Sequence, residues 1–148
     1  MMRKIMHFYW RFSRPVTLGV RGVVLDSKGQ VFLVRHGYVP GWHFPGGGVE
    51  AGETSVEALA RELLEEGNIR IGGTPQLHGL FFNGMHSRRD HVAVYVVREF
   101  EWSSPGTPTW EIPESGFFPT DKLPEATTAA TRRRLEEVLY GAPAGSHW

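Results

Sequence analysis

The chain has 148 residues, 16 Lys plus Arg against 16 Asp plus Glu, 41% hydrophobic residues, 12% aromatics and no cysteine. A length near 150 suits one core that buries roughly two thirds of the unfolded surface, so we expect a single soluble domain spanning 1–148. Zero net charge argues against the broad cationic face that grips nucleic acid by displacing counterions. The absence of cysteine excludes disulfides, a thiol nucleophile and thiolate zinc, leaving oxygen or imidazole ligands for any metal.

The longest apolar run, Val92 to Val97, falls far short of the about 20 residues that a spanning helix requires. The N-terminal stretch MMRKIMHFYWRFSRP mixes basic residues with aromatics and lacks the continuous apolar core and cleavage site of a secretory signal. The expected location is therefore cytoplasmic, with no membrane partner. Residues 1–14 read as a short helix whose aromatics pack on the domain. The alternative is an amphipathic segment lying on a membrane surface, with His7, Trp10 and Arg11 at the interface.

From Val16 to Leu25 the chain is rich in Val, Leu and Gly. Asp26, Ser27, Lys28 and Gly29 then supply turn chemistry before Val31 to Val34, which predicts a hairpin. The stretch 37–53, GYVPGWHFPGGGVEAGE, reads as an ordered loop whose aromatics need a place to pack. Thr54 followed by Glu57 forms a capping box. It opens a helical pattern with Val56, Leu59, Ala60, Leu63 and Leu64 on one face, ending near Glu66.

Strands are expected at Leu77 to Phe82 and Val92 to Phe100, the latter valine-rich enough to be buried on both faces. A loop follows from Ser103 to Ser115, then a short edge strand at Gly116 to Pro119. Pro124 leads into a second helix, 125–140, stopped by Gly141 and Pro143. Arg132, Arg133 and Arg134 read as solvent-facing charges, because consecutive helical residues point about 100° apart. The pattern gives an α+β fold, an α/β/α sandwich around a mixed central sheet.

Glu62, Glu65 and Glu66 are spaced i, i+3 and i+4, so they share one side of the helix, roughly opposite Val56, Ala60 and Leu63. A solvated charged face is one reading. Acids at a helix C-terminus, however, oppose the macrodipole by about 0.3–1 kcal/mol each, and a divalent cation would turn that liability into binding. Gly46, Gly47 and Gly48 just upstream lack side chains. They either make a simple turn or bring bare backbone groups close to a ligand.

Residues Gly47 to Ile69, GGVEAGETSVEALARELLEEGNI, resemble the Nudix box, G-x5-E-x7-R-E-U-x-E-E-x-G-U with U apolar. Gly47, Glu53, Arg61, Glu62, Leu63, Glu65, Glu66 and Ile69 fall on pattern positions, and Asn68 stands where the pattern has its final glycine. Asn is the next best residue for the left-handed turn that ends a helix, so the substitution bears on the turn and not on the acids.

The resemblance implies magnesium- or manganese-dependent hydrolysis of the diphosphate linkage in a nucleoside diphosphate joined to another group, such as a nucleotide sugar, ADP-ribose or a nucleoside triphosphate. It implies Glu62, Glu65 and Glu66 as metal ligands, with the Gly47 carbonyl as a further one. One of the three acids, with Glu65 and Glu62 foremost, would double as the base; Arg61 would orient a carboxylate, and Glu53 would bind a second metal through water or hold the loop. Candidate substrate contacts are His43 and Gly46 on the approach to the helix, Phe82 as a stacking surface, and Arg88 and Arg89 for phosphates, in a polar cluster with His86, Asp90 and His91; the loop acids Glu111 and Glu114 are further contacts or an alternative base from outside the box, with a solvated loop as the plainer reading of both groups. The implied partner is a small nucleotide derivative, with a homodimer allowed. Two alternatives compete with this reading. One is a non-catalytic nucleotide-sensing domain, against which the complete acid set weighs. The other is RNA 5′-end processing, against which the neutral charge weighs.

Overall fold

A computed structural model describes all of residues 1–148. In chain order the elements are α1 (Met2–Ser13), β1 (Thr17–Val24), β2 (Gln30–Arg35), β3 (Trp42–His43), β4 (Gly46–Gly48), α2 (Ser55–Gly67), β5 (Arg70–Ile71), β6 (Gln76–Phe82), β7 (Asp90–Val97), β8 (Phe100–Glu101), β9 (Glu114–Pro119) and α3 (Ala129–Tyr140). A four-stranded mixed sheet has the order β4-β1-β7-β6, with β1 parallel to β7 and the outer pairs antiparallel. A three-stranded antiparallel sheet has the order β3-β2-β9, and β5 pairs with β8.

Alternation along the strands divides the core in two. Val20, Val24, Phe32, Val34, Ala93, Tyr95 and Val97 turn to one side and meet Ala58, Leu59 and Leu63 of α2. Val23, Leu25, Val31, Leu33, Val92 and Val94 turn to the other and meet Phe44, Phe81 and Leu135 of α3. The strands are thus buried on both faces with one helix on each side, the expected α/β/α sandwich. Full burial of each of Leu59 and Leu63 contributes about 1.5–3 kcal/mol, which seats α2 firmly on β1.

Several expectations are corrected. Every residue of α1 is exposed, so its aromatics do not pack on the domain. The turn after β1 forms, with Asp26 Oδ1 accepting from the amides of Lys28 (2.9 Å) and Gln30 (2.8 Å) and Leu25 bridging Val31. Beyond that bridge β1 and β2 diverge into different sheets, so the hairpin is only a corner. The loop at 37–53 contains β3 and β4. The valine strand stops at Val97, and Phe100–Glu101 turns away to pair with β5. The edge strand starts at Glu114 rather than Gly116. The last helix starts at Ala129, four residues late, because Thr128 caps it by accepting from the Thr131 amide.

Arg134 is buried. It bonds Glu137 at 2.8 Å and lies 4.0 Å over the Phe81 ring. Its neighbours in sequence point elsewhere, Arg132 to the Pro124 carbonyl (3.0 Å) and Arg133 to the Trp148 carbonyl (2.9 Å).

Candidate active site

The start and stop of α2 hold the acids in place. Thr54 Oγ1 accepts from the Glu57 amide at 3.1 Å while Glu57 Oε2 accepts from the Thr54 amide at 3.1 Å, completing the capping box. At the other end Asn68 adopts φ 54°, ψ 35° and its amide donates to the Leu64 carbonyl at 3.0 Å. The asparagine therefore makes the left-handed cap that the glycine of the pattern would make.

The buried stripe of α2 is not the one expected. Ala58, Leu59, Leu63 and Gly67 are buried, whereas Val56, Ala60 and Leu64 are exposed. Glu62 and Glu66 continue the stripe of Ala58, Leu59 and Leu63 at helical spacing. They lie on its β4 side, partly buried, and are not opposite the apolar face. Glu65 alone faces water, with its side chain 61% exposed.

Gly46 and Gly47 explain why the loop is glycine-rich. Gly46 has φ 154°, and a Cβ there would collide with the Val20 carbonyl oxygen. A Cβ on Gly47 would overlap the Glu62 carboxylate. The Glu62 side chain therefore rests directly on bare backbone, and Glu66 Oε2 accepts from the Gly46 amide at 3.0 Å. Both carboxylates are gathered on the β4 strand, which the reading of the loop as a simple turn does not explain.

Arg61 ties the remaining acids together. Its guanidinium donates to both Glu53 carboxylate oxygens at 2.9 Å, to Glu62 Oε1 at 2.8 Å and to the Gly48 carbonyl at 3.1 Å, with Glu65 further off at 3.8 Å. The Arg61 bonds, followed by the Glu50 amide, hold Glu53 down to about 2, so it stays ionised and serves as an anchor. Burial pushes the Glu62 carboxyl up despite Arg61, and burial pushes Glu66 up to about 7 against the Gly46 amide and Arg21. Negative charge at this spot is under-compensated by the protein itself.

No three acidic or imidazole side chains converge on one point, because Glu62 is held by Arg61, Glu66 by Gly46, and Glu65 stands away. The donor set nevertheless fits a hard divalent cation. It is all oxygen, it includes two partly buried carboxylates with raised proton affinity, and the adjoining Gly47 backbone is unshielded by any side chain.

A cleft of about 480 Å³ opens beside these acids, lined by Thr17, Gly19, Arg21, Gly47, Asn83 and Asp90 among others. Its wall brings Arg21, which the sequence did not single out, together with His86 and Asp90 of the polar cluster 86–91. Arg21 Nη1 donates to the carbonyls of Phe44 (3.2 Å) and Gly46 (3.3 Å), so one cation underlies both the glycine strand and the cleft. The signal available was a lone charge inside the apolar segment 16–25. Asp90 is buried and accepts from Thr17 Oγ1 at 2.7 Å and Asn83 Nδ2 at 3.0 Å. These partners lie 73 and 7 residues away in sequence, so the cluster marks Asp90 but no local pattern announces its pairing. A second cavity of about 470 Å³, between residues 71–76 and 96–99, has no acid cluster.

The other expected contacts are not brought to this cleft. Phe82 packs on His91 and His147, with its amide bonded to Ser146; its neighbour Asn83 and His86 line the cleft instead. Arg88 is exposed, and Arg89 Nη1 is used on the Pro15 carbonyl at 3.1 Å. Glu114 pairs with Arg35 at 3.0 Å across β9 and β2, and Glu111 is exposed. The His43 ring meets the Pro40 carbonyl at 3.1 Å and packs 5.4 Å from His36.

A three-layer sandwich whose first core helix carries partly buried acids over a glycine strand beside a cleft has the donor set of a candidate site for a divalent cation and an anionic ligand. Comparison with known proteins makes this specific. The NUDIX domain model matches residues 15–139, and the chain belongs to the Nudix family. Over 82 residues it is 48% identical to an RNA pyrophosphohydrolase from Photobacterium profundum, covering 55% of this chain and 43% of that protein. Over 50 residues it is 46% identical to a Bacillus subtilis protein provisionally named an 8-oxo-dGTP diphosphatase, covering 34% of each. The matched stretches span less than half of either relative. A solved MutT NUDIX hydrolase from Burkholderia pseudomallei superposes with a TM-score of 0.71 at 26% identity, covering 82% of this chain and 97% of that one.

Proposed function

We propose that this chain is a hydrolase that cleaves the diphosphate linkage of a nucleoside diphosphate joined to another moiety, with magnesium or manganese bound at the acids of α2. The observation that carries the reading is the seating of Glu62 and Glu66 on the bare Gly46–Gly47 strand at the edge of the cleft. Glu62, Glu65, Glu66 and the Gly47 carbonyl would hold the cation. When bound, it neutralises diphosphate oxygens and acidifies water.

The chain's own residues supply the rest. Arg61 fixes Glu62 and the Gly48 carbonyl through the Glu53 anchor, so Arg61 and Glu53 are positioning residues. Glu65, exposed and only loosely held by Arg61, is free to take a proton from attacking water. Arg21, under the Gly46 carbonyl and at the cleft wall, balances the charge of an incoming phosphate. The cleft receives the nucleotide portion.

The test is a substrate panel with each of several divalent ions, read by phosphate release through a coupled phosphatase. It includes nucleotide sugars, ADP-ribose, nucleoside triphosphates with oxidised dGTP, and 5′-triphosphorylated RNA. Metal-dependent turnover of one class supports the proposal and assigns the substrate. Tight nucleotide binding with no turnover across the panel overturns it in favour of a sensing domain.

A further inference from the structure

All 16 acidic residues of this neutral chain lie after Arg14, whereas four of the 16 basic ones, Arg3, Lys4, Arg11 and Arg14, lie at or before it. The first 14 residues are therefore purely cationic, and they contain α1. At 100° per residue Arg3, His7, Arg11 and Lys4 occupy an arc of roughly 100°, while Ile5, Phe8, Tyr9, Trp10 and Phe12 share the remaining arc of roughly 200°. The segregation is complete, with no acid and no apolar residue inside the cationic arc.

Nothing in the domain covers the apolar arc. Phe8 and Phe12 are each 68% exposed, and their close aromatic contact is with each other, at 5.1 Å. Trp10 meets His7 at 5.6 Å, and Arg14 lies 6.0 Å from its ring, so it too packs within its own segment. Both cores close without a single residue from α1.

We infer that α1 is an interfacial helix that docks this protein on an anionic lipid surface. The aromatic arc enters the headgroup boundary and the cationic arc faces the acidic headgroups. Charge complementarity selects this occupant. A second α1 packed on the aromatic arc would leave both cationic arcs on the outside without a counter-charge, and at 12 residues the helix is too short to be held well by pairing alone. Tyr and Trp are the side chains that sit at membrane interfaces, and a polar face of Lys and Arg opposite Phe and Trp is the composition of helices that lie in that plane. Only Arg14, Pro15 and Val16 separate α1 from β1, and Arg89 pins the Pro15 carbonyl. Val16 and Thr17 line the cleft, so docking would hold the cleft mouth close to the lipid.

The test is flotation of the intact protein with phosphatidylserine–phosphatidylcholine vesicles and with pure phosphatidylcholine vesicles. Uptake by the anionic vesicles, weakened by salt and by omission of phosphatidylserine, is expected. Changing Arg3, Lys4 and Arg11 to Gln should lower partitioning about fivefold per charge. Phe8→Glu with Phe12→Glu should abolish it. Both variants should keep the wild-type melting temperature and turnover without vesicles, because α1 buries nothing. Three results would each overturn the inference. The first is no uptake by anionic vesicles. The second is uptake indifferent to both variants. The third is loss, through Phe8→Glu, of a dimer or of salt-sensitive RNA retention in a protein that ignores vesicles.

Discussion

Gly47→Ala separates the proposed chemistry from the fold. The added methyl group would overlap Glu62 Oε1 and lie 2.6 Å from its carboxyl carbon, so the carboxylate must swing off the strand. The obstacle is the end of a flexible side chain, and the backbone need not move. What is lost structurally is the Arg61–Glu62 bond of 2.8 Å between partly exposed groups, about 0–1 kcal/mol. For a chain of this size that is a fall in melting temperature of at most about 2–4 °C. What is lost functionally is a ligand's position, which by analogy with disturbed metal shells costs about 10–100-fold in manganese affinity or turnover. The neighbouring Gly46→Ala is the contrast. Its Cβ meets the Val20 backbone at a positive φ, so strain and overpacking should cost roughly 2–4 kcal/mol. Calorimetry with manganese, kinetics on the substrate found by the panel, and thermal melts read all three quantities. Gly47→Ala with wild-type metal affinity and turnover would refute the role given to Glu62. So would a Gly47→Ala/Glu62→Gln double variant much worse than Glu62→Gln alone, since two changes acting on one carboxylate should not add.

Three further outcomes follow from the same geometry. Glu65→Gln and Glu66→Gln should each lower turnover by orders of magnitude with folding intact; unchanged turnover in both removes the acids from the chemistry. Arg61→Lys should lower turnover while Glu53 loses its two-oxygen grip, seen by NMR titration as a Glu53 carboxyl rising from about 2 towards ordinary values. The third concerns pH, with metal chelated. Glu66 is pushed up to about 7, so between about 4.5 and 7 the folded state holds a proton the unfolded chain has lost, and this group makes stability fall as pH rises. His36 is pushed down to about 4 by burial, Arg21 and His43, so between about 4 and 6.5 the unfolded chain holds the extra proton and stability rises with pH. The two oppose each other across nearly one window, and His43, lowered by burial, and Glu62, raised by burial, add to the two opposing sides. The wild-type melting temperature should be nearly flat from about pH 4.5 to 6.5, and Glu66→Gln should expose a rise of up to about 3 kcal/mol over that range. A flat profile in the variant would refute the His36 assignment.

The parts of the fold that could be read in the sequence are those where a local rule has no tertiary competitor. The Thr54–Glu57 cap, the left-handed stops at Asn68 and Gly141, and the valine strand of β7 follow from spacing and backbone preference, and all form. Failures arise where a second partner decides. Val31 to Val34 has the composition of a hairpin arm, but β9, from far downstream in the chain, takes its edge, with Phe32 opposite Phe117. Val56 and Leu64 belong to an apolar face by hydropathy, yet what α2 buries is set by where β1 and β4 lie beneath it.

The same shift of the buried stripe changes the meaning of the acids. Read as a surface cluster, Glu62, Glu65 and Glu66 are three equivalent charges whose mutual repulsion is mild. In the fold they are unequal, because a rotation of the stripe by about one residue carries Glu62 and Glu66 onto the glycine strand and leaves Glu65 in water. Desolvation then raises the proton affinity of the inner two, while the arginine four residues before Glu65 directs its hydrogen bonds to Glu53 and Glu62. Motif spacing names the candidate residues. The division of labour comes from burial, which depends on Gly46, Gly47 and Arg21 arriving from a strand the spacing never mentions. The cleft wall of Asp90 with Thr17 and Asn83 is joined by contacts across the chain that spacing does not reveal, and for that reason the substrate role proposed for the cleft must be tested by mutation there.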